Sequence, residues 1–332
     1  GGGLDLAIVT QGGLSWMGLT AEVDAMQVHG LPSTFELEVL DLALAYNGAA
    51  TNGTKLNWSG IAALAGDAFK IDGTDIAAIT ASTGISVTGT VFLNIDGFVI
   101  ARATFDLAQQ SNVTLNDTKG ISIPLVQNQP GANVLVLRLS DVFLFVGVDG
   151  AIDTSGTVTT QSFVDGLTAS NAVGFYVSGA SLDLAIVGEQ AGRKWIGVAA
   201  HVSAMGVIGL PDGFTLKVKD LDFVYNLAAT DGKRMDWKSL ATNGADGFNL
   251  NLGALANLDN AVELRVAGTL MISIADFVYV SGSIAVQRKD LFVKTVGSSA
   301  STQMYVRSLG ASNVCAFAGI GADSNGDGEL DD

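Results

Sequence analysis

The sequence predicts an all-β protein made of two tandem homologous β-rich units with little helix. Three observations carry this reading. Apolar and polar residues alternate with a period of two: Val262, Leu264, Val266, Gly268, Leu270, Ile272 and Ile274 fall on one face of the stretch 262–274. That period over such a length belongs to a half-buried strand, since a helix repeats every 3.6 residues. Helix signals are weak while Gly-containing turns are frequent. Finally, the chain repeats itself.

Taken in order, the strong strand runs are 35–46, 134–139, 142–148, 173–178, 214–225 and 262–274. "DG" at 96–97 and "AD" at 275–276 interrupt two of the alternating stretches, and a β-bulge or corner is expected at each. "TNG" at 51–53 and "TDG" at 230–232 read as hairpin turns, with Asn or Asp before Gly supplying positive φ. "WSGIAALAGDAF" at 58–69 predicts a short helix, and its counterpart "WKSLATNGADGF" at 237–248 much less. Runs such as "VLVLRLSDVFLFVGV" at 134–148 are apolar on both faces, which requires cover on both sides: a sandwich, a barrel or an elongated wrapped sheet.

Self-comparison sets the organisation. "LDLAIV" occurs at 4–9 and 182–187, and "WMGLTAEVDAMQVHGLP" at 16–32 returns as "WIGVAAHVSAMGVIGLP" at 195–211. "LDLALAYNGAATNGTKLNW" at 40–58 matches "KDLDFVYNLAATDGKRMDW" at 219–237, and "SDVFLFVGV" at 140–148 matches "SNVCAFAGI" at 312–320. The two units are therefore 1–170 and 171–332, the second ending in an acidic calcium-type loop. "AVGFYVSGA" at 172–180 precedes the second copy where the first has only "GGG", so the first copy lacks an N-terminal strand. This is the phase expected of a piece of a longer array whose units join by sharing strands, along one chain or end to end between chains.

Composition bounds the partners. A net charge of −16 excludes nucleic acid, which needs clustered Lys and Arg, and suits divalent cations. Cys315 is the single cysteine, so there is neither an internal disulfide nor a thiolate zinc site. Its apolar neighbours in "NVCAFAG" predict a buried structural thiol. His29 and His201 are too few for a multi-histidine centre. Uncharged stretches such as 76–95 are rich in Thr, Ser and Gly and read as strands, so no membrane span is expected.

The strongest candidate site is "DSNGDGELDD" at 323–332. Asp323, Asn325 and Asp327 alternate, Gly328 permits a tight loop, Glu329 offers its backbone carbonyl, and Asp331 follows. Calcium takes six to eight oxygens, and short acidic side chains at this spacing converge on one. The pattern resembles the first nine positions of an EF-hand-type loop and the "DxNxDGxxD" loops of dockerins and thrombospondin type 3 repeats. The competing reading is a solvated acidic linker. The corresponding stretch of the first copy, 148–158, loses the pattern.

Catalytic signals are few. Asp5 with Asp183 and Asp41 with Asp220 recur in both copies, but a glycosidase needs two carboxylates across a cleft, and Asp in such strands more often binds a backbone N–H. No phosphate loop, nucleophile elbow or Ser-His-Asp order is present, so no enzyme is expected. Trp16 with Trp195, Trp58 with Trp237, and Tyr46–Asn47 with Tyr225–Asn226 also recur. They read either as sugar-stacking platforms or, preferably, as core packing with a turn-fixing Asn.

"AVGFYVSGASLDLAIV", "GLP", "FVYVSG" and the "DSNGDG" junction together resemble the tandem repeats of giant bacterial extracellular surface proteins, of the adhesin-like, calcium-dependent kind. The resemblance implies a structural and adhesive segment of a secreted surface stalk or extracellular filament. Its partners would be neighbouring repeat units or identical chains, and surface glycans. The alternative is a carbohydrate- or hydrophobe-binding β module, and a glycoside hydrolase comes third.

Overall fold

The computed structural model describes residues 1–27, 34–64, 76–123, 131–152, 158–189, 191–210, 214–243, 250–275 and 277–320. The chain is all-β. In order it forms β1 (Gly2–Gln11), β2 (Leu14–Gln27), β3 (Phe35–Gly48), α1 (Trp58–Leu64), β4 (Thr83–Ile95) and β5 (Val99–Val113). Then come β6 (Leu115–Asn116), β7 (Ser122–Ile123), β8 (Ala132–Val148), α2 (Thr160–Ala169), β9 (Val173–Gly188), β10 (Lys194–Ile208) and β11 (Phe214–Leu227). The last elements are α3 (Trp237–Asn243), β12 (Val262–Ile274), β13 (Val278–Val293) and β14 (Thr302–Ala318). Short 3₁₀ turns at 76–78 and 253–257 follow α1 and α3.

Twelve of the strands form one open antiparallel meander rather than a sandwich or a closed barrel, and only the small β6–β7 pair stands apart. The duplicated segments occupy equivalent places in the order: β2 and β10, β3 and β11, β4 and β12, β5 and β13, β8 and β14. The sheet runs unbroken from one copy to the other, because β8 pairs β9 from Asn133↔Gly188 to Val148↔Val173. The segment 173–178 expected as a strand is the first part of β9, and it pairs both β8 and β10.

Residues directly opposite on neighbouring strands share a face, so the registers assign the faces. One row runs Leu107, Leu137, Leu184, Val198, Tyr225 and Leu264. The adjacent row, on the opposite face, runs Asp106, Arg138, Asp183, Ala199, Val224 and Arg265. The sheet is thus apolar on one side and mixed on the other.

The described helices and the β6–β7 loop pack on the mixed side. One core joins Val134 and Val136 of β8 and Ala185 and Val187 of β9 to Leu115 and Ile123, and to Trp237, Leu240 and Leu255. A second places Phe163 and Leu167 of α2 over Ile100, Phe143, Phe145 and Tyr176, with the Phe143 and Phe163 rings 5.1 Å apart. A third holds Trp16, Trp58, Ile76 and Ile79 over the first strands.

Several sequence expectations need correction. "DG" at 96–97 is a hairpin turn, not a bulge: Asp96 and Gly97 both have positive φ (49° and 69°), and Phe98 N–H donates to the Ile95 carbonyl at 2.8 Å. This is the two-residue turn whose twist matches that of the flanking strands. "TNG" and "TDG" do form tight turns, but each leads from a strand into a helix, and the positive φ belongs to Gly53 and Gly232. The stretch at 237–248, expected to be much less helical than 58–69, also carries a helix, α3 (Trp237–Asn243), which starts at a Trp as α1 (Trp58–Leu64) does. The alternation pattern does not reveal helix α2, although its Thr159–Ser162 capping box is a start signal. Cys315 is exposed rather than buried, since β14 lies at the edge of the sheet and has a neighbouring strand on one side only.

Candidate functional site

The proposed calcium ligands Asp323, Asn325, Asp327, Glu329 and Asp331 lie outside the described residues, as does His29. Among the described residues no cluster of three or more His, Cys, Asp or Glu is placed to hold a metal.

What the structure does bring together is a cavity that recurs in both copies on the mixed face. In the first it has a volume of about 490 Å³ and is lined by Asp5, Thr20, Glu22, Ala43, Ala78 and Ser86, among others. In the second it has about 530 Å³ and is lined by Ala199, His201, Asp222, Asn257 and Arg265. These second-copy residues correspond to Thr20, Glu22, Ala43, Ala78 and Ser86, so the place is the same while its chemistry differs. The charged groups of the first are carboxylates, Asp5 and Glu22. The second mixes His201 and Asp222 with Asp259, Arg265 and Lys289.

Strand register builds a row that sequence spacing hid: Ser181 lies opposite His201, and His201 opposite Asp222. His201 Nδ1 is 2.9 Å from Asp222 Oδ1. Both side chains are substantially exposed, at 42% and 52%. Among the described residues no hydrogen bond joins Ser181 to His201. The row therefore holds a hydrogen-bonded His–Asp pair, not a formed nucleophile–base pair. The signal that would have found it is cross-strand register, which one sequence does not print.

Three of the four recurring carboxylates, Asp183, Asp41 and Asp220, have structural explanations. Asp183 accepts from Ala254 N–H at 2.7 Å and from Arg138 Nε at 3.0 Å, the backbone N–H role expected of it. Asp41 and Asp220 have φ of 50° and 49°, each at a register shift, and a short polar residue tolerates this left-handed backbone.

The recurring Trp and Asn residues make one clamp twice. Trp58 Nε1 donates to Asn47 Oδ1 at 3.0 Å, and Asn47 Nδ2 donates to the Leu56 and Thr80 carbonyls. Trp237 Nε1 donates to Asn226 Oδ1 at 3.1 Å, and Asn226 Nδ2 donates to the Met235 and Asp259 carbonyls. Gly18 and Gly197 lie beneath the two rings, where a Cβ would sit 2.7 and 2.6 Å from the indole. All four Trp are buried, at 8% exposure or less, so none forms a stacking platform.

Sequence reasoning misses one further site. Asp117, in the β6–β7 loop of the first copy, is 1% exposed. Its Oδ1 accepts from Lys119 and Ile121 N–H, and its Oδ2 accepts from Asp236 N–H at 3.1 Å, just before α3. Ser239 Oγ donates to the Asp117 carbonyl. A loop of one copy thus ties down a helix of the other. The chain matches no protein-family model, no curated protein and no solved structure.

Proposed function

We propose that the chain is a structural and adhesive segment of a secreted or cell-surface tandem-repeat array, in which repeats add strand to strand into one sheet. A single observation carries this: the largest core is built from both copies, with Leu115, Ile123, Val134 and Val136 of the first packed on Trp195, Trp237 and Leu240 of the second. Such repeats are stabilised by their neighbours rather than alone. Denaturation reports on it, using Trp→Phe variants that keep Trp only at 16 and 58 or only at 195 and 237. Coincident transitions are expected, and two separate ones would reject the fused segment. Calcium at Asp323, Asn325, Asp327, Glu329 and Asp331 belongs to this reading. Calorimetry should give binding that Asp323→Ala with Asp327→Ala abolishes, and no heat in the wild type would remove calcium from it. A hydrophobe-binding module is the second reading, favoured by the apolar face of the sheet.

A further inference from the structure

The apolar face has no cover among the described residues, since α1, α2, α3 and the β6–β7 loop all pack on the other side. The row from Leu107 to Leu264 is half-buried throughout, whereas Val136 and Ala185 on the mixed face are buried. A second apolar row, Ala101, Leu144, Val177, Met205, Val218 and Leu270, crosses the same face. The first charged side chains met along the Leu264 row are Arg288 and Arg307, on the last two strands.

We infer that a second copy of this chain covers the face, the two sheets packing apolar side to apolar side about a two-fold axis. The ten strands before Arg288 and Arg307, about 4.8 Å apart and apolar over roughly 11 residues of about 3.3 Å, give a face of about 1,700 Å². That far exceeds the few hundred Å² a soluble monomer leaves open. Stable obligate dimers bury roughly 2,000–5,000 Å² in total, a range two such faces reach when about two-thirds of each is covered. The face is its own complement, as a two-fold interface requires. Lipid fits less well. Neither row offers a polar side chain on β5, β8, β9 or β10 to hold a headgroup, and sites for small apolar ligands fix them with a few such groups. The charge of −16 also opposes docking on an anionic bilayer. Face pairing is distinct from the edge-to-edge addition proposed above, because it closes at two chains.

Sedimentation equilibrium on the full chain tests this. The expected mass is twice 34.0 kDa, or 68.0 kDa. Raising salt should tighten the dimer about 10-fold by screening the like charge of the two chains. Leu184→Lys with Val198→Lys, at the centre of the face, should raise Kd by at least about 100-fold. Thr88→Lys with Gln287→Lys adds the same charge to the opposite face and should leave the mass unchanged. If the first pair loses the far-UV signature of the sheet, the dilution and salt series of the wild type decide alone. A wild type that stays monomeric at about 100 µM overturns the inference. So does a dimer indifferent to Leu184→Lys with Val198→Lys, or open-ended growth, which would mark edge pairing. Monomers that float with phosphatidylcholine vesicles would assign the face to lipid instead.

Discussion

Asp117 gives the sharpest test of whether the two copies are one folded body. Asp117→Ala removes an acceptor of three backbone N–H groups: Lys119 at 2.9 Å, Ile121 at 2.8 Å and Asp236 at 3.1 Å. Ile121 and Asp236 are buried, so water replaces the lost partner poorly. A hydrogen bond to a charged group contributes about 1.5–3 kcal/mol, and bonds sharing one side chain add incompletely, so a loss of about 3–5 kcal/mol is expected. Asp117→Asn keeps the two loop bonds through Oδ1 but turns an N–H toward Asp236 N–H, and should lose about 2 kcal/mol. Urea unfolding gives the totals, and hydrogen exchange locates them. Protection should fall at α3 and around Trp237, more than a hundred residues away, while Trp58 and its surroundings keep theirs. A loss under about 1 kcal/mol, or exchange confined to 115–123, would refute a joint carried by this residue.

The two Trp–Asn clamps should respond alike: Asn47→Ala and Asn226→Ala each strip three hydrogen bonds, and each should cost about 3 kcal/mol by thermal or urea unfolding, with a twofold disparity counting against equivalence. Gly197→Ala places a Cβ 2.6 Å from the Trp237 ring and should cost about 1–3 kcal/mol, measured the same way. Asp183→Ala should destabilise more than Arg138→Ala, because the side chain of Asp183 is 10% exposed and that of Arg138 33%. The Lys233 N–H, helped by Arg193, holds the Asp231 carboxyl below the usual range. Its stabilising contribution is therefore present above the unfolded value of about 3.9 and lost as pH falls through the folded one, so Asp231→Asn should flatten the acid limb of an unfolding-against-pH curve.

The strands were legible because period-two alternation and Gly turns act locally. The likeness of the two halves in sequence was legible because the segments are printed twice. The missed features share a cause: they depend on what a residue meets across the sheet. Cys315 sits among apolar neighbours in sequence, but burial of an edge strand depends on a neighbour that "NVCAFAG" does not encode. The Ser181–His201–Asp222 row needs the register of three strands. The role of Asp117 needs a contact spanning 119 residues, and in the sequence it is one more Asp in a polar loop.

Register also explains why the chain repeats more than its apolar pattern. A shift of one residue turns every later side chain to the opposite face. The ladders do shift, between Leu40 and Ala43, Leu139 and Val142, Lys219 and Asp222, and opposite Ser281 and Ser283. At or beside these shifts lie Asp41, Asp141, Asp220 and Asn313, all with φ near +50°. Each inserts one extra residue against its neighbour, and the side-chain alternation resets with it. Thus Arg138 and Phe143, which differ in parity, both face the covered side: they oppose Asp106 and Arg102 of the unshifted β5. The shifts form a crease across the sheet, and each copy carries it at equivalent strands, β3 and β11, β8 and β14. Asp and Asn suit these places because they accept the left-handed backbone that the insertion needs. Keeping one face apolar along strands of up to 17 residues therefore depends on a few polar residues at the crease. Asp220→Val isolates this role, since a β-branched residue is strained at φ of 49° while its apolar character suits a strand. If the crease sets the faces, Asp220→Val should lower stability by about 1–2 kcal/mol and Asp220→Gly should retain it. Equal stability of the two variants would show that the left-handed backbone is not what keeps Asp220 in place.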